Sequence, residues 1–114
     1  MKTNFKAFRE AHDVEGFFQQ QLVLGLATPE DVLSLLDKLG LKHSGLVDDS
    51  EYVHVVFDSE SKTMIHSPSY EYHIGCMAPA RSTMFIFQNR WMIYFHFNDH
   101  KLIKIDAELT SVGL

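Results

Sequence analysis

The sequence contains one cysteine, Cys76, among 114 residues. A single cysteine excludes a disulfide within the chain, so the chain is not one of the small secreted domains that disulfides hold together. A domain of this length can bury an adequate core without disulfides or a metal, and 46% of its residues are hydrophobic. We therefore expect one globular domain over residues 1–114, in a reducing compartment.

An excess of positive charge is also missing. Ten Lys and Arg stand against fifteen Asp and Glu, which gives a formal net charge of −5. The basic residues are scattered along the chain, whereas nucleic-acid-binding proteins usually concentrate them in a stripe. The sequence therefore predicts no nucleic-acid partner. An acidic protein is still suited to a basic protein partner, because complementary charge speeds the encounter.

The sequence has no hydrophobic run long enough to cross a membrane. Residues 1–18, MKTNFKAFREAHDVEGFF, carry charges every few positions and lack the apolar segment of a signal peptide. These features predict a cytoplasmic protein without membrane insertion.

Signatures of common enzymes are absent as well. The sequence contains no glycine-rich phosphate loop, no G-x-S-x-G and no H-E-x-x-H motif. Zinc needs three or four converging ligands, and the segment HIGC offers only the pair His73 and Cys76 without a second pair. We interpret Cys76 as a small buried thiol and not as a nucleophile. No catalytic residue, metal or cofactor is predicted, and a non-enzymatic protein is favoured.

The N-terminal part of the sequence has helical spacing of its apolar residues. Residues 3–22 are predicted to be helical, with Asp13 placed to cap a second helical segment. In ATPEDVLSLLDKLG, Thr28 is suited to the N-cap, Pro29 to the first helical position and Gly40 to the position after the last turn. This pattern predicts a helix over about 29–39.

From residue 52 onwards the period of the apolar residues changes to two, which indicates strands. A break is expected at 77–82 because Pro79 cannot donate to a strand ladder, and turns are expected at 88–90 (QNR) and 98–101 (NDHK). Helices followed by an antiparallel meander predict an α+β fold, with the N-terminal helices packed on one face of a single sheet. The predicted strands are 52–57, 63–67, 69–76, 83–88, 90–97 and 101–109.

The strand at 90–97 is apolar or aromatic on both faces, although helices can cover only one. Trp91, Ile93, Phe95 and Phe97 form the predicted core face. Exposed groups of Met and Tyr are typical of binding surfaces, so the other face is predicted to bind a partner. The predicted partner-binding residues are Met84, Ile86, Met92, Tyr94 and His96, with Tyr70 and Tyr72 beside them.

In the last strand, alternation places Ile103 and Ile105 on the core side and Leu102, Lys104 and Asp106 on the other. The mixture of Leu102 with two charged residues suggests that this part of the second side is partly solvated.

Several functions fit this description. The favoured one is a non-enzymatic protein-interaction module, of which an inhibitor or immunity protein that neutralises a partner protein is one form. A second is a homodimer joined through the same face, and a cover supplied by the chain itself is also open. The alternative from another class is a small-ligand-binding protein or enzyme, with a cone-shaped pocket between the helices and a curved sheet.

Two segments resemble the SmpA/OmlA-type small outer-membrane assembly lipoproteins. In residues 22–40 the matching features are the apolar–Gly–apolar step at 24–26, the cap at Thr28, and a helix that carries Glu30 and Val32 before Gly40. The segment FNDHKLIKI, residues 97–105, is similar to the strand ends of that family. The resemblance implies a fold like that of β-lactamase inhibitor proteins and a non-enzymatic, protein-binding role. It is not extended to membrane attachment, because the sequence carries no signal peptide or lipidated cysteine.

Overall fold

The computed structural model of the protein describes residues 4–49, 55–58, 63–66, 70–81 and 87–113. Its elements are a short 3-10 helix (Phe5–Ala7), helices α1 (Ala11–Gln21) and α2 (Pro29–Leu39), and strands β1 (Lys42–His43), β2 (Val47–Asp48), β3 (Val55–Asp58), β4 (Thr63–His66), β5 (Tyr72–Pro79), β6 (Phe87–Asn98) and β7 (Lys101–Gly113). None of the helices in these ranges is long and apolar enough to span a membrane.

The first predicted helical region forms as two pieces. The 3-10 helix ends at Phe8, whose backbone is extended (φ −73°, ψ 135°). Helix α1 then begins after Glu10, whose backbone N–H donates to the Asp13 carboxylate at 3.2 Å. Asp13 therefore helps to start a new helix, as its position in the sequence suggests, because it satisfies a backbone donor that no helical carbonyl reaches.

Helix α2 has the predicted bounds and caps. The Asp31 backbone N–H donates to Thr28 Oγ1 at 3.3 Å, and the Thr28 N–H donates to the Asp31 carboxylate at 3.0 Å. Gly40 adopts the left-handed conformation (φ 73°) that ends the helix. The helix buries Val32 and Leu36 completely.

The predicted α+β architecture is confirmed: the helices cover one face of an antiparallel sheet. The order of the main sheet is β1-β5-β6-β7. Strand β2 also pairs with β5, on the same edge of β5 as β1. Strands β3 and β4 form a separate two-stranded sheet. Helix α1 lies along β7, where the Ala107 N–H donates to the Glu15 carboxylate at 2.9 Å.

The predicted turn at 88–90 is wrong, because β6 is one continuous strand through these residues. Asn89 stays in the strand because its side chain is satisfied. Its amide donates to the Arg81 carbonyl at 2.7 Å, and its oxygen accepts from the Ser111 hydroxyl at 2.8 Å. The turn at 98–101 is confirmed, and Asp99 and His100 adopt the positive φ angles (52° and 62°) of a two-residue hairpin turn.

Strand β5 continues to Pro79, past the position where the sequence predicts a break. Strand β1 pairs only with Cys76 and Met77. Among the described residues, no strand lies beside Pro79 on that edge, so its missing N–H breaks no ladder hydrogen bond with them.

A β-bulge changes the alternation in β7. The register pairs Phe97 with Leu102 but His96 with Lys104, so Ile103 is the extra residue. Leu102 is fully buried, whereas Ile103 is 38% exposed. The predicted sides of Leu102 and Ile103 are therefore wrong, and that of Ile105, which is buried, is right.

The core between the helices and the sheet is aromatic. Phe18 of α1 meets Phe95 of β6 edge to face, with ring centroids 5.1 Å apart. The Trp91 indole N–H donates to the Phe5 carbonyl at 3.0 Å, which ties the 3-10 helix to the sheet. The predicted core face of β6 is confirmed, since Trp91, Ile93, Phe95 and Phe97 are all buried.

The caps of α2 predict the effect of a substitution. Thr28→Ala should lower the free energy of unfolding by about 1 kcal/mol, because the Asp31 N–H loses its acceptor. Urea denaturation measures this. Ser34→Ala is the matched control on the exposed side of the same helix, and it should leave the stability nearly unchanged. Equal losses in both variants would contradict the capping role of Thr28.

Candidate functional site

The sheet face opposite the helices, called the second face, carries the predicted binding residues Met92, Tyr94 and His96. These three follow one another at every second position of β6, and all are half-buried. Their partners on β5 are Met77, Gly75 and His73, and their partners on β7 are Glu108, Asp106 and Lys104.

The other predicted binding residues are distributed differently. Tyr70 joins the second face, where its ring stacks on the His96 imidazole with centroids 4.4 Å apart. Tyr72 does not, because it pairs with Phe97 and packs against the core on the helix side. The prediction that Tyr70 and Tyr72 share a face assumed that both lie in a regular strand, but β5 begins only at Tyr72. Met84 and Ile86 lie outside the described residues.

Two histidines form the centre of the second face, each beside a carboxylate. His73 and His96 are directly opposite each other on β5 and β6, with ring centroids 6.5 Å apart. His73 Nδ1 lies 2.6 Å from the Asp49 carboxylate, and His96 Nε2 lies 3.1 Å from that of Asp106. Tyr94 lies beside both rings, at 6.3 and 6.5 Å. We call Tyr70, His73, Tyr94 and His96 the Tyr–His cluster.

Sequence reasoning missed Asp49 as a site residue, and it placed Asp106 on the second side of the last strand without predicting its contact with His96. Asp49 lies in the turn-rich segment after α2 and reaches His73 only because its backbone N–H bonds to the Glu71 carbonyl at 2.8 Å. Asp106 is aligned with Tyr94 only because of the bulge at Ile103. A regular pairing from the turn at 99–100 would have placed Ile105 opposite Tyr94, and no local sequence signal marks the bulge.

The environment of His96 disfavours its charged form. Its side chain is only 18% exposed, and its Nδ1 atom is buried with no hydrogen-bond partner among the described residues. Burial lowers the pKa of His96, and Asp106 opposes this effect while His73 and Lys104 add to it. The imidazole is therefore neutral at pH 7, with Nε2–H donating to Asp106 and Nδ1 left as an acceptor.

A shallow groove of about 360 Å³ adjoins the cluster. The groove lies over Gly75. If residue 75 carried a Cβ atom, that atom would lie 3.5 Å from the Tyr94 ring. The Gly75 N–H donates to the Ser44 hydroxyl at 3.1 Å. Met77 and Met92 supply apolar walls, so the groove is suited to an apolar side chain with a polar group at its His73 end.

His73 and Cys76, which the segment HIGC places three residues apart, cannot hold one metal ion together. Their spacing of three places His73 on the second face and Cys76 on the helix side, where it is buried. Within the described ranges, the residues with converging ligand atoms are Glu10, His12 and Asp13, which lie at the exposed start of α1. This trio is far along the chain from the Tyr–His cluster and shares no element with it.

The Cys76 thiol should be unreactive in the folded protein. It is 2% exposed, and burial raises its pKa to about 12, so almost no thiolate is present at neutral pH. A disulfide reagent at about pH 8 should modify Cys76 slowly in buffer and rapidly in concentrated guanidinium chloride. Equally fast modification in both conditions would contradict the burial of this thiol.

The lowered pKa of His96 predicts a dependence of stability on pH. Between the folded pKa and the ordinary value of 6.5, the unfolded state binds more protons than the folded state at this site. The His96 contribution to stability is therefore present above pH 6.5 and is lost as the pH falls through this window. His96→Gln should consequently lose less free energy of unfolding than the wild type between about pH 7.5 and about pH 5.5.

Urea denaturation at both pH values measures the difference. Ser34→Ala is the control, because this exposed side chain does not titrate, and its pH dependence should match that of the wild type. The same pH dependence in His96→Gln and in the wild type would show that burial of His96 does not penalise its protonation.

Comparisons of the chain with protein-family models, with curated proteins and with solved structures gave no match. The resemblance to the SmpA/OmlA-type lipoproteins accordingly remains a prediction from the sequence.

Proposed function

We propose that the protein is a non-enzymatic interaction module that binds another protein through its second face. The observation that carries the proposal is the Tyr–His cluster, which lies beside an apolar groove on the sheet face opposite the helices. Tyr and Met are enriched in protein interfaces because they bury a large area and keep a polar or adaptable end. A groove of this kind can receive one anchoring side chain of the partner.

The packing between the helices and the sheet favours this role over the cone-shaped ligand pocket. Phe18 fills the space against Phe95, and Val14, Leu36 and Ile93 beside them are fully buried. A ligand in this layer would have to displace close-packed side chains, which costs several kcal/mol for one large residue. Binding at the second face requires no such displacement.

Charge favours a different protein over a second copy of this chain. Two copies would each bring a net charge of −5, and this like charge slows and weakens their association. A basic partner would instead be attracted. An inhibitor or immunity protein that neutralises such a partner in the cytoplasm is the form of this function that we favour.

Site-specific photo-crosslinking tests the proposal. Benzoylphenylalanine in place of Tyr94 keeps an aromatic ring at the second face, and irradiation of the cells that produce the protein should give one discrete adduct with another protein. The control carries the same group in place of Ser34, which is exposed on α2, and it should give no such adduct.

The remaining outcomes separate the alternatives. Equal adducts from both positions, or none from Tyr94, would refute binding through the second face. An adduct with the mass of two chains, together with a dimer in sedimentation that Met92→Asp dissociates, would replace the proposal with a homodimer.

A further inference from the structure

A second concave surface lies at the edge of the sheet, at the opposite end of β5 from His73. It has a volume of about 520 Å³ and lies where the end of β5 extends beyond its pairing with β1. Gly40, at the end of α2, and Lys6, in the 3-10 helix, border it on the helix side. We call it the edge pocket, and its volume falls in the range of small-molecule sites.

The edge pocket concentrates positive charge in an acidic protein. Lys6, Lys42 and Arg90 line it, and the described lining residues include no Asp or Glu. None of the three cations makes a salt bridge with another described residue, whereas Lys104 pairs with Asp106 at 3.6 Å. Uncompensated charges of one sign around a concave surface raise the local potential and the local concentration of counter-ions.

The three cations differ in a way that suits an oxyanion. The planar guanidinium of Arg90 can donate two parallel hydrogen bonds to a carboxylate or a phosphate. The ammonium groups of Lys6 and Lys42 act as mobile point charges on either side. An anion that binds here would face no carboxylate among the described residues that line the pocket.

Apart from Gly40 and Asn89, the other residues that line the edge pocket are apolar. Leu41, Met77 and Pro79 contribute most of the hydrophobic wall, on both sides of the β5 edge. Inorganic phosphate alone would leave this wall in contact with water. An anion with a hydrocarbon or aromatic body would cover it and gain free energy in proportion to the apolar area buried.

We propose that the edge pocket binds a small organic anion. Its phosphate or carboxylate group contacts Lys6, Lys42 and Arg90, and its apolar body packs against Leu41 and Met77. None of the Tyr–His cluster lines this site, although it shares Lys42 and Met77 with the groove beside that cluster.

Titration calorimetry with phenyl phosphate and with benzoate tests the charge recognition. At low ionic strength the wild type should bind at least one of the two saturably. Arg90→Gln and Lys42→Gln should each weaken that binding roughly tenfold, because a charge-assisted hydrogen bond is lost. Arg90→Lys should weaken the binding less, since lysine keeps the positive charge and loses only the two parallel hydrogen bonds of the guanidinium. Lys101→Gln makes the same charge change at the distant hairpin turn, and it should bind like the wild type.

The remaining outcomes overturn the proposal. Absence of saturable binding of both probes up to roughly 10 mM would refute the site. Equal weakening of binding in Lys101→Gln and Lys42→Gln would show that the anions respond to the overall charge of the protein and not to the edge pocket. Benzyl alcohol binding as tightly as phenyl phosphate would remove the role of the cations, and inorganic phosphate binding as tightly would remove that of the apolar wall. Thermal unfolding of each variant checks that the fold is retained.

Discussion

Strand β6 is paired with β5 on one side and with β7 on the other, and this double pairing fixes both faces of the sheet. Successive side chains of the strand must be accommodated alternately by the helices and by the second face. On the helix side, Trp91 and Phe95 are buried against the 3-10 helix and α1. The same register necessarily places Tyr94 and His96 on the opposite side, so the packing of the core determines the composition of the candidate site.

The second face is stabilised by polar contacts and aromatic stacking, in contrast to the core. Each of its two histidines has an aspartate beside it, and Tyr70 covers His96. A neutral His96 is compatible with this arrangement, whereas a charged one would lie close to His73 and Lys104. These contacts hold the side chains of the face in place, and the buried Nδ1 atom of His96 accepts no hydrogen bond from the residues that the structure describes.

The groove beside Tyr94 and the edge pocket lie next to each other along β5 and share Lys42 and Met77. They differ in chemistry, because the edge pocket is lined by Lys6, Lys42 and Arg90, whereas the groove contains only Lys42 of these cations and has Met77, Met92 and Tyr94 in its lining. One strand edge thus carries two surfaces that select different groups. The edge pocket lies where no strand among the described residues pairs with the end of β5 beyond β1.

Much of the local structure could be predicted from the amino-acid sequence alone. Thr28, Pro29 and Gly40 define α2, because caps and the left-handed end of a helix act within a few residues. The alternation in 91–97 identifies the core face, because the alternation of apolar residues is visible within a single strand. The charges that meet on the second face could be known only from the folded chain. Asp49 comes from a distant turn, and the bulge at Ile103 shifts β7 by one residue, so that Asp106 replaces Ile105 beside the cluster. A shift of one residue exchanges the two faces of a strand, and it depends on packing between strands that no short segment of sequence contains.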